Sequence, residues 1–199
     1  RFSMAHLGAS LREIGGSRVA LGYTIASGFI FGAFLSYLTC SQQVFQDIYG
    51  VGAAFPIYFG VLAIALGAAS LTNGQLVQRL GMKTLVKRSS RGLAALSIVY
   101  VGIVFFLSGT PPLWTVMAYF LPAFFCLGIM FGNLNALAMA PLGHIAGLGA
   151  TVIGSLSTFI SVPLGTLVGQ SFDGTVMPLV GGFALFSMIA AAIIHGIER

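Results

Sequence analysis

The chain has 199 residues, of which 57% are hydrophobic and 7% are charged, and its formal net charge is +5. A soluble domain carries roughly 25% charged residues, so this composition excludes a protein whose whole surface faces water. The positive charge does not indicate nucleic-acid binding, because no aromatic residues are interleaved with the basic ones. The sequence therefore predicts an integral membrane protein.

Residues 1–18 precede the first long apolar stretch, and two interpretations of them stay open. An amphipathic helix on the inner membrane surface would place four apolar side chains on one face, at Met4, Leu7, Leu11 and Ile14. Three glycines in the same segment are equally compatible with a flexible cytoplasmic linker. The first residue is Arg1 rather than Met, and no cleavable signal peptide precedes the apolar stretch, so we expect a piece of a longer protein.

Six apolar stretches are each near the length that a helix needs to cross the hydrocarbon core, about 20 residues. They cover residues 19–39, 51–72, 93–109, 113–134, 148–170 and 175–195. None of them contains Asp, Glu, Lys or Arg. We therefore predict an all-α membrane protein, with a six-helix transmembrane domain over residues 19–199.

The basic residues indicate how this domain is oriented. Five of the nine fall in residues 73–92, the predicted second loop, namely Arg79, Lys83, Lys87, Arg88 and Arg91. The others lie before the first span or at Arg199, so six spans place all nine on one side. The positive-inside rule makes that side the cytoplasm, with both termini there and the acidic Asp47 and Asp173 opposite.

Small residues recur at helical spacing within the spans. Such stripes let helix backbones approach closely where lipid supplies no hydrophobic drive between helices. The glycines predicted to pack helices are Gly28, Gly32, Gly60, Gly67, Gly154, Gly165 and Gly169. Pro56, Pro122 and Pro163 fall inside three of the spans and predict kinks.

No catalytic or metal-binding pattern is present, so we expect neither an enzyme nor a cofactor. Cys40 and Cys126 form no ligand cluster, and His6, His144 and His195 lie near span ends without carboxylate partners. A charge inside the membrane usually marks an ion or proton path. Because the spans have none, a proton-carrying carboxylate would have to lie in sequence outside this chain.

Aromatic and neutral polar side chains are what remains to line a substrate cavity. Phe, Met and Tyr with a few hydroxyl and amide groups suit a cavity for apolar molecules of varied structure. On the first span the candidates are Tyr23, Ser27, Phe34 and Tyr37, and on the fourth they are Tyr119, Cys126, Met130 and Asn133.

Residues 74–83 resemble the signature loop of the major facilitator superfamily, G-x-L-a-D-R-x-G-R-[KR]. Matching residues are Gly74, Leu76, Arg79, Gly81 and Lys83. Gln78 stands at the acidic position, and Met82 replaces an Arg. A degraded copy is similar to the loop between helices 8 and 9 of that superfamily, so the six spans would be helices 7–12, the C-terminal half.

Two further stretches resemble the drug-efflux members of the bicyclomycin/chloramphenicol-resistance (Bcr/CflA) type. Residues 41–50 look like the connection between helices 7 and 8 of that family, although Gln42 stands where the family tends to have Pro. Residues 146–154 resemble the start of its helix 11, with Gly149 in place of another small residue.

This resemblance implies two inverted three-helix repeats in each half and alternating access around a central cavity. It implies a proton-coupled multidrug efflux carrier in a bacterial inner membrane, with a small apolar or amphipathic substrate and with the proton-carrying carboxylates in the N-terminal half. The expected gating loop comprises Gly74, Gln78, Arg79, Gly81 and Lys83. Arg79 would hold the gate, with Lys83 supporting it.

Two alternatives remain open at the level of the sequence. The chain could be half of a carrier for one solute, such as a sugar, a nucleoside or an organic acid. It could also be a non-transporting half-size domain that assembles as a homodimer. The expected partners are accordingly membrane lipid and either an N-terminal six-helix half or a second copy.

Overall fold

The computed structural model describes residues 15–197, which contain six long helices and no strand. The helices are α1 (Arg18–Gln42), α2 (Phe55–Leu80), α3 (Met82–Phe106), α4 (Leu113–Met139), α5 (Ala146–Gln170) and α6 (Met177–Ile197). Five continuous helical stretches are apolar enough, over a sufficient length, to cross a membrane, and one of them, Leu113–Gln170, contains both α4 and α5. The all-α membrane fold predicted from the sequence is confirmed. Except for its last four residues, the proposed segment 1–18 lies outside the described residues.

The helices extend beyond the apolar stretches, most of all around residues 73–92. A helix of 25 residues, such as α3, is about 37 Å long, whereas the hydrocarbon core is about 30 Å thick. The segment expected to be a loop is therefore helical on both sides of Gly81. The reason is that hydropathy marks the edge of the hydrocarbon, while backbone hydrogen bonding continues beyond it.

Gly81 alone joins α2 to α3, and its backbone conformation explains why a glycine stands there. Its φ is 78°, in the region that residues with a side chain rarely adopt. Its N–H donates to the carbonyl of Val77, and its own carbonyl accepts from Leu85 N. The chain thus reverses direction at one residue while both helices keep their terminal hydrogen bonds.

The prolines do not all act as predicted. Pro56 lies in the first turn of α2, where a missing N–H costs nothing, so no kink is needed there. Pro122 and Pro163 lie inside α4 and α5. A 3-10 segment, Ala140–Ile145, links these two helices.

The six helices form two layers. The front layer has the order α5, α1, α4, α2, and in the back layer α6 lies behind α1 and α3 lies behind α4. The back helices also contact each other, whereas α5–α6 and α2–α3 contacts are few. The main apolar core lies between the layers and includes Ile30, Leu127 and Phe183.

The contact pattern repeats when α1, α2 and α3 are exchanged with α4, α5 and α6. The pair α1–α5 becomes α4–α2, the pair α1–α6 becomes α4–α3, and the central pair α1–α4 maps onto itself. Aromatic contacts show that the central helices are antiparallel, because Phe31 stacks on Phe131 while Tyr37 contacts Phe120. The chain is therefore built from two inverted three-helix repeats.

The two ends of the bundle differ in charge. The basic end carries Arg79 and the start of α3, and there Arg18 Nη2 donates to the carbonyl of Gly196 at 3.1 Å. The acidic end carries Asp47 and Asp173, the acidic residues among those described. At that end the Tyr49 hydroxyl donates to the carbonyl of Pro111 at 2.6 Å, which links two connections.

The predicted packing glycines fall into two groups. Gly28, Gly32, Gly165 and Gly169 all lie at the contact between α1 and α5. A methyl group added to Gly165 would lie 2.6 Å from Leu35 Cβ, so the two backbones approach closely there. A methyl group added to Gly60, Gly67 or Gly154 would have no such neighbour among the described residues within 4 Å.

Candidate functional site

The front layer has a side that α3 and α6 do not cover, and we call this side the open face. On it α1 exposes Phe31 and Leu38, and α4 exposes Leu121 and Phe125. No Asp, Glu, Lys or Arg stands near these residues in α1 or α4. The open face is therefore apolar at the depth of the membrane, with a few neutral polar groups.

A pocket of about 170 Å³ opens on this face between α1, α4 and α5. It is lined by Ser27, Phe31, Phe131, Asn135, Ile153, Gly154, Ser157 and Thr158. A shallower groove of about 710 Å³ shares Gly154 and Thr158 with it and continues along α5. The lining residues come from three helices, so their position depends on the fold rather than on any one sequence motif.

One side of the pocket is aromatic. The rings of Phe31 and Phe131 stack with their centroids 4.4 Å apart. Phe34 meets Phe131 and Phe124 edge to face, at 5.5 and 5.9 Å. This arrangement offers an apolar molecule both the face and the edge of a ring, the two geometries that aromatic contacts favour.

The other side of the pocket is polar but uncharged. Ser157 Oγ donates to the carbonyl of Thr24 at 3.2 Å, and Thr158 Oγ1 donates to that of Gly154 at 2.9 Å. The side-chain amide of Asn135 is exposed and has no hydrogen-bond partner among residues 15–197. This amide can both donate to a ligand and accept from it.

Of the cavity residues predicted on α1, the structure brings Ser27 and Phe34 to this site. Ser27 lines the pocket, and Phe34 borders its aromatic side. Tyr23 and Tyr37 are buried inside the helical bundle. The hydroxyl of Tyr37 has no hydrogen-bond partner among the described residues, and its ring packs against Phe120 and Phe124.

The stripe predicted on α4 lies away from the pocket. Tyr119 stacks on Tyr100 of α3, and its hydroxyl lies 2.8 Å from Ser97 Oγ. Met130 is fully buried and Cys126 is partly buried against the core. These side chains point into the bundle because α3 and α2 pack on that side of α4.

Asn133 belongs to a contact between helices. Its Nδ2 donates to Asn73 Oδ1 on α2 at 2.7 Å, and also to the carbonyl of Ile129. Asn135, two residues further on, is the amide that reaches the pocket. Residues two apart on a helix lie on different faces, so only the packing of α4 shows which amide is available.

The predicted gating residues surround the junction of α2 and α3. Gln78, Arg79 and Lys83 are exposed at the basic end. Gly74 follows Asn73, so the hydrogen-bonded amide pair fixes α2 against α4 one residue before the motif starts. The motif thus starts next to a hydrogen-bonded contact between α2 and α4.

Cysteine and histidine side chains form no metal-binding group within residues 15–197. Cys40 is buried and Cys126 is half-buried, and both are free thiols. His195 lies on α6 at the basic end, where its Nδ1 is 3.2 Å from Arg91 Nη2. None of these groups reaches the pocket.

Two curated proteins are similar to almost the whole chain. An uncharacterized MFS-type transporter, YdgK, of Bacillus subtilis (strain 168) is 25% identical over 197 residues, which are 97% of this chain and 48% of the relative. A bicyclomycin resistance protein homolog of Haemophilus influenzae is 27% identical over 187 residues, which are 87% of this chain and 42% of the relative.

These relatives confirm the resemblance that the motifs predict. The chain spans about half the length of each of them. No family model matches the chain, and no solved structure matches it. Its long apolar helices make the chain a multi-pass membrane protein, and it is similar to an MFS-type transporter and to a bicyclomycin resistance protein homolog.

Proposed function

We propose that the chain is the C-terminal half of a proton-coupled multidrug efflux carrier that works by alternating access. The pocket on the open face carries this proposal, because it combines an aromatic side with a neutral polar side at the depth of the membrane. One relative is named for resistance to bicyclomycin, which supports efflux of a small organic molecule.

The exposed surface supports a second six-helix half as the partner. Only Leu62 and Ala69 are fully buried on α2, so most of this helix has no cover within the described chain. Gly60, Gly67 and Gly154 leave their backbones open to close approach by other helices. The relatives are about twice as long as the chain, which leaves enough sequence for an N-terminal half.

A small apolar or amphipathic substrate suits the lining of the pocket. Phe31 and Phe131 would contact its rings, and Asn135 would pair with one polar group. A carrier for a sugar or an organic acid would need several charged or amide groups to replace the water around such a solute. No charged side chain lines this pocket, so we assign proton transfer to the N-terminal half.

We place the basic end in the cytoplasm and the protein in the bacterial inner membrane. The described basic residues at that end are Arg18, Arg79, Lys83, Lys87, Arg88 and Arg91. Lys and Arg near helix ends favour the cytoplasmic side during insertion. In this orientation the junction at Gly81 faces the cytoplasm, and Arg79 acts at a cytoplasmic gate.

The test is the accumulation of ethidium, and of several neutral antibiotics, in cells that express the complete encoded protein. We expect the complete protein to lower accumulation, and Phe31→Ala and Asn135→Ala each to restore it in part. Phe106→Ala is the matched control, because Phe106 is 85% exposed on α3 and lies far from the pocket. No change in accumulation of any compound would contradict the proposed function. An equal effect of Phe106→Ala would contradict the proposed site.

A further inference from the structure

A groove at the basic end of α3 is lined by cationic side chains. Its lining residues are Lys83, Thr84, Lys87, Arg88 and Arg91, and its volume is about 510 Å³. Lys83, Lys87 and Arg91 follow one another at a spacing of four residues, which places them along one side of the helix. Thr84 and Arg88 form a second row beside them. Four positive charges therefore face one concave surface.

Within residues 15–197, no acidic side chain lines this groove. Asp47 and Asp173 lie at the acidic end, on the other side of the bundle, while Glu13 and Glu198 fall outside the described residues. Arg91 Nη2 lies 3.2 Å from His195 Nδ1, a neutral acceptor when the ring proton is on Nε2. This contact orients the guanidinium without removing its charge. Among the described residues, Lys83, Arg88 and Arg91 thus give the groove an excess of positive charge, and this excess does not depend on Lys87.

The same face of α3 continues into an exposed apolar stripe. Ala95 and Ile98 follow Arg91 by four and seven residues, and Phe105 follows Lys87 by 18 residues, about five helical turns. Ile98 is 49% exposed and Phe105 is 73% exposed. A ligand on this face would meet cations at one end and apolar side chains along the rest.

We infer that this groove binds the phosphodiester headgroup of an anionic phospholipid, with an acyl chain along Ala95, Ile98 and Phe105. Lys and Arg both bind phosphate oxygens, Arg through two parallel hydrogen bonds. Basic pockets at the membrane surface attract anionic headgroups. A free phosphate would use the cations alone, whereas a lipid uses both parts of the face, and therefore the lipid is the ligand that matches the whole surface.

The test uses the complete encoded protein, purified in a non-ionic detergent. Phosphatidylglycerol and phosphatidylcholine with identical acyl chains are titrated separately, and bound lipid is measured by native mass spectrometry. We expect phosphatidylglycerol to bind at least about fivefold more tightly, since one cation near the surface is worth about that factor. Transport is not measured, so the outcome is independent of the proposed function.

Variants locate the site. Arg88→Gln should weaken binding of phosphatidylglycerol about fivefold and leave phosphatidylcholine unchanged, while Arg88→Lys should keep most of the affinity. The matched control is Arg18→Gln, which removes one charge at the same end but outside the groove. Lys83→Gln provides the same measurement if Arg88→Gln is not monodisperse.

Three results would overturn the inference. Equal affinity for the two lipids would mean that the headgroup charge does not contribute, and that lipid adsorbs to α3 through its acyl chains alone. If Arg18→Gln weakened phosphatidylglycerol binding as much as Arg88→Gln, the net charge of the basic end would explain the binding, and the groove would not be a specific site. Displacement of phosphatidylglycerol by an equal concentration of inorganic phosphate would make the groove a site for free anions.

Discussion

The contacts α1–α5 and α2–α4 occupy equivalent positions in the two repeats, yet different residues hold them. In both pairs the helices run parallel and approach closely. Along α1–α5, glycines from both helices meet larger side chains of the partner, as Gly28 meets Ile160 and Gly165 meets Leu35. Along α2–α4, the close approach depends on Gly128 and on the amide pair Asn73–Asn133.

This difference shows that one packing geometry can be specified in two ways. Contacts distributed along α1–α5 are supplemented by the bond from Thr39 Oγ1 to the carbonyl of Gly165, 3.1 Å long. The contact α2–α4 has no comparable row of glycines, and Gly128 alone among the described glycines meets α2 closely. We therefore expect α1–α5 to form a continuous rigid unit, and α2 to depend on a few residues.

The largest effect is expected from Gly165→Leu at α1–α5. A Cβ there would lie 2.6 Å from Leu35 Cβ and 3.1 Å from the backbone carbon of Leu35, so the helices would have to separate. Overpacking of this kind costs about 1–3 kcal/mol, and more where backbone must move. The measurement is the thermal midpoint of the purified protein in detergent, read by size-exclusion chromatography after heating.

Gly102→Leu is the control for this substitution, because a Cβ added at Gly102 has no described neighbour within 4 Å outside its own helix backbone and adjacent residues. It should leave the midpoint close to that of the unmodified protein. An equal loss in both variants would mean that leucine in place of a helical glycine is harmful by itself, and the close approach of α1 and α5 would not be the cause.

A smaller but more specific contrast is expected between Gly128→Ala and Gly32→Ala. A methyl group at Gly128 would lie 2.6 Å from the carbonyl oxygen of Leu66, whereas one at Gly32 would lie 3.1 Å from the side chain of Leu164. The contact at Gly128 is shorter by 0.5 Å and involves backbone, so the helices must separate further to relieve it. Alanine otherwise favours a helix over glycine by about 1 kcal/mol.

We therefore expect Gly128→Ala to lower the thermal midpoint, and Gly32→Ala to leave it unchanged or raise it. Both variants add one methyl group to a buried helical glycine, so each serves as the control of the other. If Gly32→Ala proved the more harmful, α1–α5 would be the less tolerant contact and the comparison would be reversed.

The smallest effect is expected from the amide pair. Interhelical hydrogen bonds in membrane proteins contribute about 0.6 kcal/mol on average, and we expect the coupling between Asn73 and Asn133 to be of that order. The double-mutant cycle comprises Asn73→Ala, Asn133→Ala and both together, with the free energy of unfolding measured in mixed micelles. Additive effects would show that the two amides act independently.

Much of the fold can be predicted from the sequence, because burial in lipid demands long apolar helices. The number of spans follows from hydropathy, and the glycine stripe of α1 and α5 follows from helical spacing. The end of α2 and the start of α3 cannot be predicted in this way, because hydropathy does not show where a helix ends once it continues past the membrane surface. Gly128 was missed because one glycine without a stripe has no periodic signal.

The site is less predictable than the fold. Ser27 and Phe34 both reach the pocket region because they lie seven residues apart, on one side of α1. On α4 the chosen stripe, which includes Tyr119 and Met130, lies toward α3. In a helix that is apolar on all sides, periodicity does not tell the side facing a cavity from the side facing a neighbour.

By itself the sequence determines that this protein lies in a membrane, that its chain forms several long apolar helices, and that its basic residues gather near one end of them. These properties depend on composition and order along the chain, because each helix satisfies its own backbone in lipid. Only the tertiary structure decides which helices pack against one another. That choice buries Asn133, exposes Asn135, and brings Phe31, Phe131 and Ser157 from three helices to one pocket. The physical reason is that a side chain's neighbours depend on the packing of helices that are distant in sequence.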